Sequence, residues 1–133
     1  MSPFRRRHVG TVAARLAEGW NGLVWGAPLS AFKARFPRAQ LTDSDWWRTG
    51  AGTESFCGVP MAITQYAFNA RDELFTIAFI PATADRDRLS VAAINELGAP
   101  DGMDLRWTAG DVVVTVKLAG VLAIATHPTY SDR

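Results

Sequence analysis

One stretch near the start of the chain constrains the fold most, because a short apolar strand runs directly into a turn and a helix. Residues 23–25 read Leu-Val-Trp, and Gly26 follows at once. Pro28 suits the first turn of a helix, where its missing N–H costs nothing. Apolar residues then recur at helical spacing over 29–36, and Pro37 ends the predicted helix. This segment indicates a fold but carries no chemistry.

Two longer strands are predicted at 61–68 and 74–80, joined by a short polar loop. Apolar residues lie on both faces of the second strand, so we expect it to be central and covered on at least one side. A helix follows and stops at Gly98, a residue typical of helix C-termini. Three short strands are predicted within 104–125, and connections this short force antiparallel neighbours.

The order of elements predicts a single α+β domain with an antiparallel sheet, and 133 residues suit one domain. We expect residues 1–19 to form a tail and a short amphipathic helix, 20–126 the domain, and 127–133 a C-terminal tail. The least regular stretch is 38–59, with a strand hidden near 46–48.

Several short motifs occur in an order that resembles a known family. Trp25-Gly26 leads into the helix that ends at Phe36-Pro37, and Gly58-Val59-Pro60 precedes the central strand pair. The next helix ends in Leu97-Gly98-Ala99-Pro100, and Trp107 closes a later strand. Over residues 20–126 the chain resembles the β-lactamase-inhibitory-protein family and the small outer-membrane lipoproteins related to it. The resemblance implies helices packed on one face of a curved antiparallel sheet, and it assigns no β-lactamase target to this chain.

Charge and composition exclude several classes of partner. The net charge is +1, so no overall field recruits nucleic acid or anionic lipid. The arginines at 5–7 could contact only a few phosphates, so we expect no nucleic-acid partner. No apolar run approaches the length of a membrane span. The single cysteine mildly favours a reducing compartment. We therefore expect a soluble cytoplasmic protein, or an exported one if the true start lies upstream of Met1.

The residues that usually perform enzyme chemistry are few and scattered. His8 and His127 each lie in a predicted tail, away from any carboxylate cluster that a triad or zinc site would need. Cys57 has no neighbouring base or cation to stabilise a thiolate, so we interpret it as a small buried hydrophobic residue. Asp43 and Asp45 match no calcium-loop spacing. We expect no enzyme activity, no metal and no cofactor.

The aromatic run Trp46-Trp47-Arg48 is the candidate binding site. Adjacent residues of a strand point to opposite faces, so both tryptophans are buried only if both faces are covered. An exposed tryptophan beside an arginine is typical of protein-binding hot spots. The alternative is that one ring lies in the core and the other packs against its rim.

These observations predict a non-enzymatic domain that binds another protein through its sheet face or the 43–57 loop. An inhibitor, immunity or assembly-accessory role would fit. The alternative is a small-molecule-binding or sensor domain, with an aromatic pocket between helices and sheet.

Overall fold

The computed structural model describes residues 12–49, 55–101, 105–117 and 122–131. Within these ranges the helices are α1 (residues 12–18), α2 (Leu29–Arg35), α3 (Arg86–Leu97, after the 3₁₀ turn Thr83–Asp85) and α4 (Pro128–Ser131). The strands are β1 (Gly19–Trp20), β2 (Leu23–Val24), β3 (Gln40–Leu41), β4 (Trp47–Arg48), β5 (Ser55–Phe56), β6 (Val59–Phe68), β7 (Leu74–Pro81), β8 (Arg106–Ala109), β9 (Val112–Val116) and β10 (Ala123–Thr126).

Eight of these strands form one antiparallel sheet. Its order is β3-β4-β6-β7-β10-β9-β8, with β5 paired to β6 off this path, while β1 and β2 form a separate hairpin. The sheet and its helices confirm the predicted α+β class. The long strand β7 lies in the middle of the order, as the apolar residues on both of its faces predict.

The core lies between the helices and one face of the sheet. From that face Tyr66, Ile77, Phe79 and Val114 contribute fully buried side chains. The helices supply Leu16 from α1, Phe32 from α2, and Leu89 and Ala93 from α3, all with no exposed surface. Burial of this apolar surface is the main term that stabilises the fold.

The aromatic side chains of the core are in mutual contact. Phe32 lies 5.0 Å from the Tyr66 ring, centroid to centroid. The Trp20 ring meets Phe79 edge-on at 5.2 Å, and Phe56 stacks on Phe79 at 4.3 Å. These are the offset and edge-to-face distances at which aromatic pairs attract, so α2 and the β1–β2 hairpin are both held to the sheet through rings.

The irregular stretch 38–59 contains more strand than the sequence indicates. The strand expected near 46–48 is β4, and β3 and β5 flank it. Residues 128–131, within the segment predicted as a C-terminal tail, form α4, which packs against the end of β7. No helix in the described part of the chain is long and apolar enough to cross a membrane.

Candidate functional site: the open face of the sheet

The sheet face opposite the core is built from one continuous cross-strand row. Its members are directly opposed on successive strands, in the order Gln40, Arg48, Gln65, Ala78, Ile124, Thr115 and Arg106. Directly opposed residues of antiparallel strands lie on the same face. This row therefore crosses the whole sheet from β3 to β8.

A second row runs beside the first, two residues along each strand. It joins Ala67, Thr76, Thr126, Val113 and Thr108. Ile63 opposite Ile80 continues the same face on the other side of the first row. We call these two rows and this isoleucine pair the open face.

The described helices pack against the core side of the sheet rather than against the open face. Their buried side chains lie in the core, and the Tyr130 ring of α4 packs near Gly26 and His127. On the open face Ile63, Ile80 and Ile124 are half-buried. Three small members of the face, Ala67, Thr76 and Ala78, are buried at 8%, 4% and 4% exposure, so a partner would chiefly contact the half-buried isoleucines and threonines around them.

Charge on the strands is confined to this face and has one sign. The strands of the sheet contain two charged residues, Arg48 and Arg106, and both are exposed members of the first row. The Arg48 guanidinium donates a hydrogen bond of 3.2 Å to Gln40 Oε1, a neutral partner. In the described residues neither arginine has a carboxylate within ion-pair distance, and the Asp101 carboxylate accepts a 3.5 Å hydrogen bond from Thr108 Oγ1, two residues along β8 from Arg106.

The two tryptophans of the predicted site are separated by strand alternation. Trp47 pairs with Tyr66 and lies on the core side, where its ring is 6.0 Å from Phe32 and the Lys33 Nζ lies 5.1 Å above it. Trp46 is half-buried and precedes β4, held by a hydrogen bond from Thr42 N to its carbonyl oxygen. Since alternate residues share a face, Trp46 lies on the same side as Arg48, at the edge of the open face.

The centre of the open face is held by side-chain hydrogen bonds. Thr76 Oγ1 lies 2.9 Å from Thr126 Oγ1 on the neighbouring strand and donates to the Ala125 carbonyl oxygen at 3.2 Å. The pair joins β7 to β10 in addition to the main-chain ladder. A surface fixed in this way loses little side-chain entropy when a partner covers it.

Cys57 is buried, as the sequence predicts, and is poorly suited to nucleophilic chemistry. Its exposed fraction is 8%. Burial raises the pKa of its thiol from 9.0 to about 12, and the nearby Glu96 carboxylate adds to the rise. Because the thiolate is the reactive form, this cysteine is almost entirely protonated near neutral pH.

The other candidate chemical residues are not brought together. His127 lies between the rings of Trp25 and Tyr130, at 6.0 Å and 5.0 Å, and His8 lies outside the described residues. Asp43 and Asp45 are exposed in the turn between β3 and β4. Across the described ranges, no group of three or more His, Cys, Asp or Glu side chains is placed to hold a metal ion.

Among the described residues, side chains of this chain occupy the space between helices and sheet, where the sensor alternative needs a pocket. Trp25, Phe32 and Trp107 are all at most 6% exposed there. The grooves found among the described residues lie at the surface. One of about 370 Å³ runs between Cys57–Val59 and the outer side of α3 at Val91. A ligand between the layers would have to displace core rings.

Comparison with known protein families, curated proteins and solved structures gives no match for this chain. The resemblance to the β-lactamase-inhibitory-protein family accordingly stays a prediction from the motifs.

Sequence reasoning did not identify Arg106, Ile124 or Thr115 as surface residues of a possible site. A usable signal was present, because the predicted strands 61–68 and 74–80 contain no charged residue. Which side of each strand faces the helices, however, depends on long-range docking that periodicity does not report.

Proposed function

We propose that this chain is a non-enzymatic protein-binding domain that presents the open face to another protein. The observation that carries this proposal is the continuous row from Arg48 to Arg106, with Gln65, Ala78, Ile124 and Thr115 between two arginines that have no carboxylate within ion-pair distance among the described residues. Trp46 at its edge supplies an aromatic of the type that dominates binding hot spots. An inhibitor, immunity or assembly-accessory role suits such a domain, and a cytoplasmic location is favoured by the single cysteine.

The chemistry of the open face favours a protein over other partners. Open sheets that bind single-stranded nucleic acid stack bases on aromatic side chains of their central strands. The two rows carry Gln, Ala, Ile, Thr and Val at those positions. An apolar centre with a polar and charged rim is instead the arrangement of protein–protein interfaces.

A substitution at the centre of the face tests the proposal. Ile124→Gln replaces a half-buried aliphatic side chain in the first row, and Val91→Gln is its control, because Val91 is a β-branched residue 59% exposed on α3. Each immobilised variant and the parent chain are incubated with native extract of the source organism, and retained proteins are identified by mass spectrometry. Thermal melts establish that each variant is folded.

We expect the immobilised parent chain and the Val91→Gln variant to retain the same protein from the extract. The Ile124→Gln variant should fail to retain it. Equal retention by folded Ile124→Gln, or no specific retention by the parent chain, would count against binding through the open face.

A further inference from the structure

The geometry points to an acidic partner: we propose that the open face binds a protein surface whose apolar centre is flanked by carboxylates, one opposite Arg48 and one opposite Arg106. This inference rests on the proposed function, so the experiment is chosen to distinguish a wrong partner charge from a wrong binding surface.

The positions of Arg48 and Arg106 set the distance between the two carboxylates that a partner would need. They belong to the same cross-strand row, and β4 is five strand-to-strand steps from β8, through β6, β7, β10 and β9. At the usual strand spacing of ~4.8 Å the two Cα positions are therefore separated by about 24 Å. That distance matches the width of a typical protein–protein contact.

Between the cations the row offers no charge at all. Gln65, Ala78, Ile124 and Thr115 lie between Arg48 and Arg106 in direct register. A partner with lysines at these two points would meet like charge, whereas one with Asp or Glu would pair with both guanidinium groups. Charge complementarity of this kind sets partner choice and association rate more than total affinity.

Carboxylates of a protein fit these observations better than the phosphates of a nucleic acid. Two cations about 24 Å apart cannot follow a phosphate backbone, which requires closely spaced contacts for useful affinity. The aliphatic residues between them, Ile124 above all, would contribute nothing to a phosphate chain but are readily covered by an apolar protein patch. Binding of RNA is therefore the competing result, and the experiment below includes an oligonucleotide to detect it.

The probe is a synthetic peptide of about 16 residues, which is about 24 Å long when helical. It has a leucine–alanine centre and two glutamates at each end, and a matched peptide has lysines in their place. Each is titrated into the ¹⁵N-labelled full chain, and amide shifts report where and how tightly it binds. The variants are Arg48→Gln, Arg106→Gln and the double substitution, with exposed Arg86 of α3 as the control site, Arg86→Gln.

We expect the glutamate peptide to shift amides of β6, β7 and β10 and to bind more tightly than the lysine peptide. Each single substitution should weaken binding about threefold, as for an exposed ion pair. The double substitution should weaken it about tenfold, because distant changes add. Arg48→Lys and Arg106→Lys should restore most of the affinity, Arg86→Gln should change nothing, and salt near 1 M should abolish the difference.

Equal binding of the two peptides, shifts confined to residues off the open face, or tighter binding of a uridine oligonucleotide than of the glutamate peptide would overturn the acidic-partner inference. If Ile124→Gln still loses the retained protein in that case, the proposed function stands and only the charge of the partner is wrong.

Discussion

The indole Nε1 of Trp25 donates a hydrogen bond of 2.6 Å to the main-chain carbonyl oxygen of Leu16. Leu16 lies in the last turn of α1, where carbonyl groups have no partner within the helix. Trp25 is also 6% exposed and contributes to the core. The Trp25 side chain therefore supplies a hydrogen-bond donor to a carbonyl group at the end of α1 and holds that helix against the core.

Separate variants should resolve the two contributions of Trp25. Trp25→Phe keeps most of the ring but leaves the Leu16 carbonyl without its donor, and should lower the free energy of unfolding by about 1–2 kcal/mol. Trp25→Ala also removes the buried ring and should lower it by about 3–5 kcal/mol. Chemical denaturation measures both. Losses below about 0.5 kcal/mol, as at a surface site, would show that Trp25 does not anchor α1.

Gly26 is expected to tolerate no side chain, because the Tyr130 ring of α4 lies against it. A Cβ at Gly26 would approach the Tyr130 ring to 2.5 Å, and the backbone φ is +84°. Gly58→Ala is the matched control, since Gly58 has φ +80° but no heavy atom within 4 Å of its added Cβ.

Both substitutions incur the strain of positive φ, about 1 kcal/mol, and Gly26→Ala should cost at least about 1 kcal/mol more because α4 must shift. The free energies of unfolding from denaturant titrations give the difference. Equal losses at the two glycines would mean that α4 does not pack where the structure places it.

Alkaline pH should destabilise the chain partly through Cys57. Its pKa is raised from 9.0 to about 12 in the folded state, so above pH 9 the unfolded thiol ionises while the folded thiol stays protonated. The unfolded state then gains stability as pH rises through this window, by about 1 kcal/mol at pH 10. Cys57→Ala lacks this term, so its stability should fall less between pH 8 and about pH 10. If the free energies of unfolding of the parent and Cys57→Ala fall equally over this pH range, the thiol of Cys57 does not have a raised pKa in the folded state.

Long periodic elements could be predicted from the sequence, whereas two-residue strands could not. The strand expected at 61–68 is β6, Val59–Phe68, and α3 ends at Leu97, directly before the predicted stop Gly98, which has φ +91°. The β1–β2 hairpin was missed, although Asn21-Gly22 between short apolar pairs is a strong turn signal. Such brief strands contain no period to detect.

The β5–β6 hairpin was missed for a different physical reason. Its turn residues are Cys57 at φ +54° and Gly58 at φ +80°. Cysteine is uncommon in the left-handed region, which favours glycine, asparagine and aspartate. The residue type at position 57 therefore does not predict a turn. The tertiary packing that buries Cys57 against the core overrides its local preference.

The candidate site was partly predictable. Alternation indicated that Trp46 and Trp47 would face opposite ways, but not which one would meet the core. That choice depends on where α2 docks, since Phe32 and Lys33 are the residues that contact the Trp47 ring. The row that joins Arg48 to Arg106 depends on pairings between strands far apart in sequence, which no local pattern contains.

The most direct test of the open face as a binding surface compares Trp46→Ala with Trp47→Ala, measuring both the free energy of unfolding and the affinity for the protein retained by the parent chain. Trp47→Ala should cost about 2–4 kcal/mol of stability because it removes a ring packed on the core. Trp46→Ala should cost no more than about 1 kcal/mol of stability but weaken binding by about 2 kcal/mol or more, as at a hot spot. The reverse order, with Trp46→Ala strongly destabilised or with its affinity unchanged, would contradict the account.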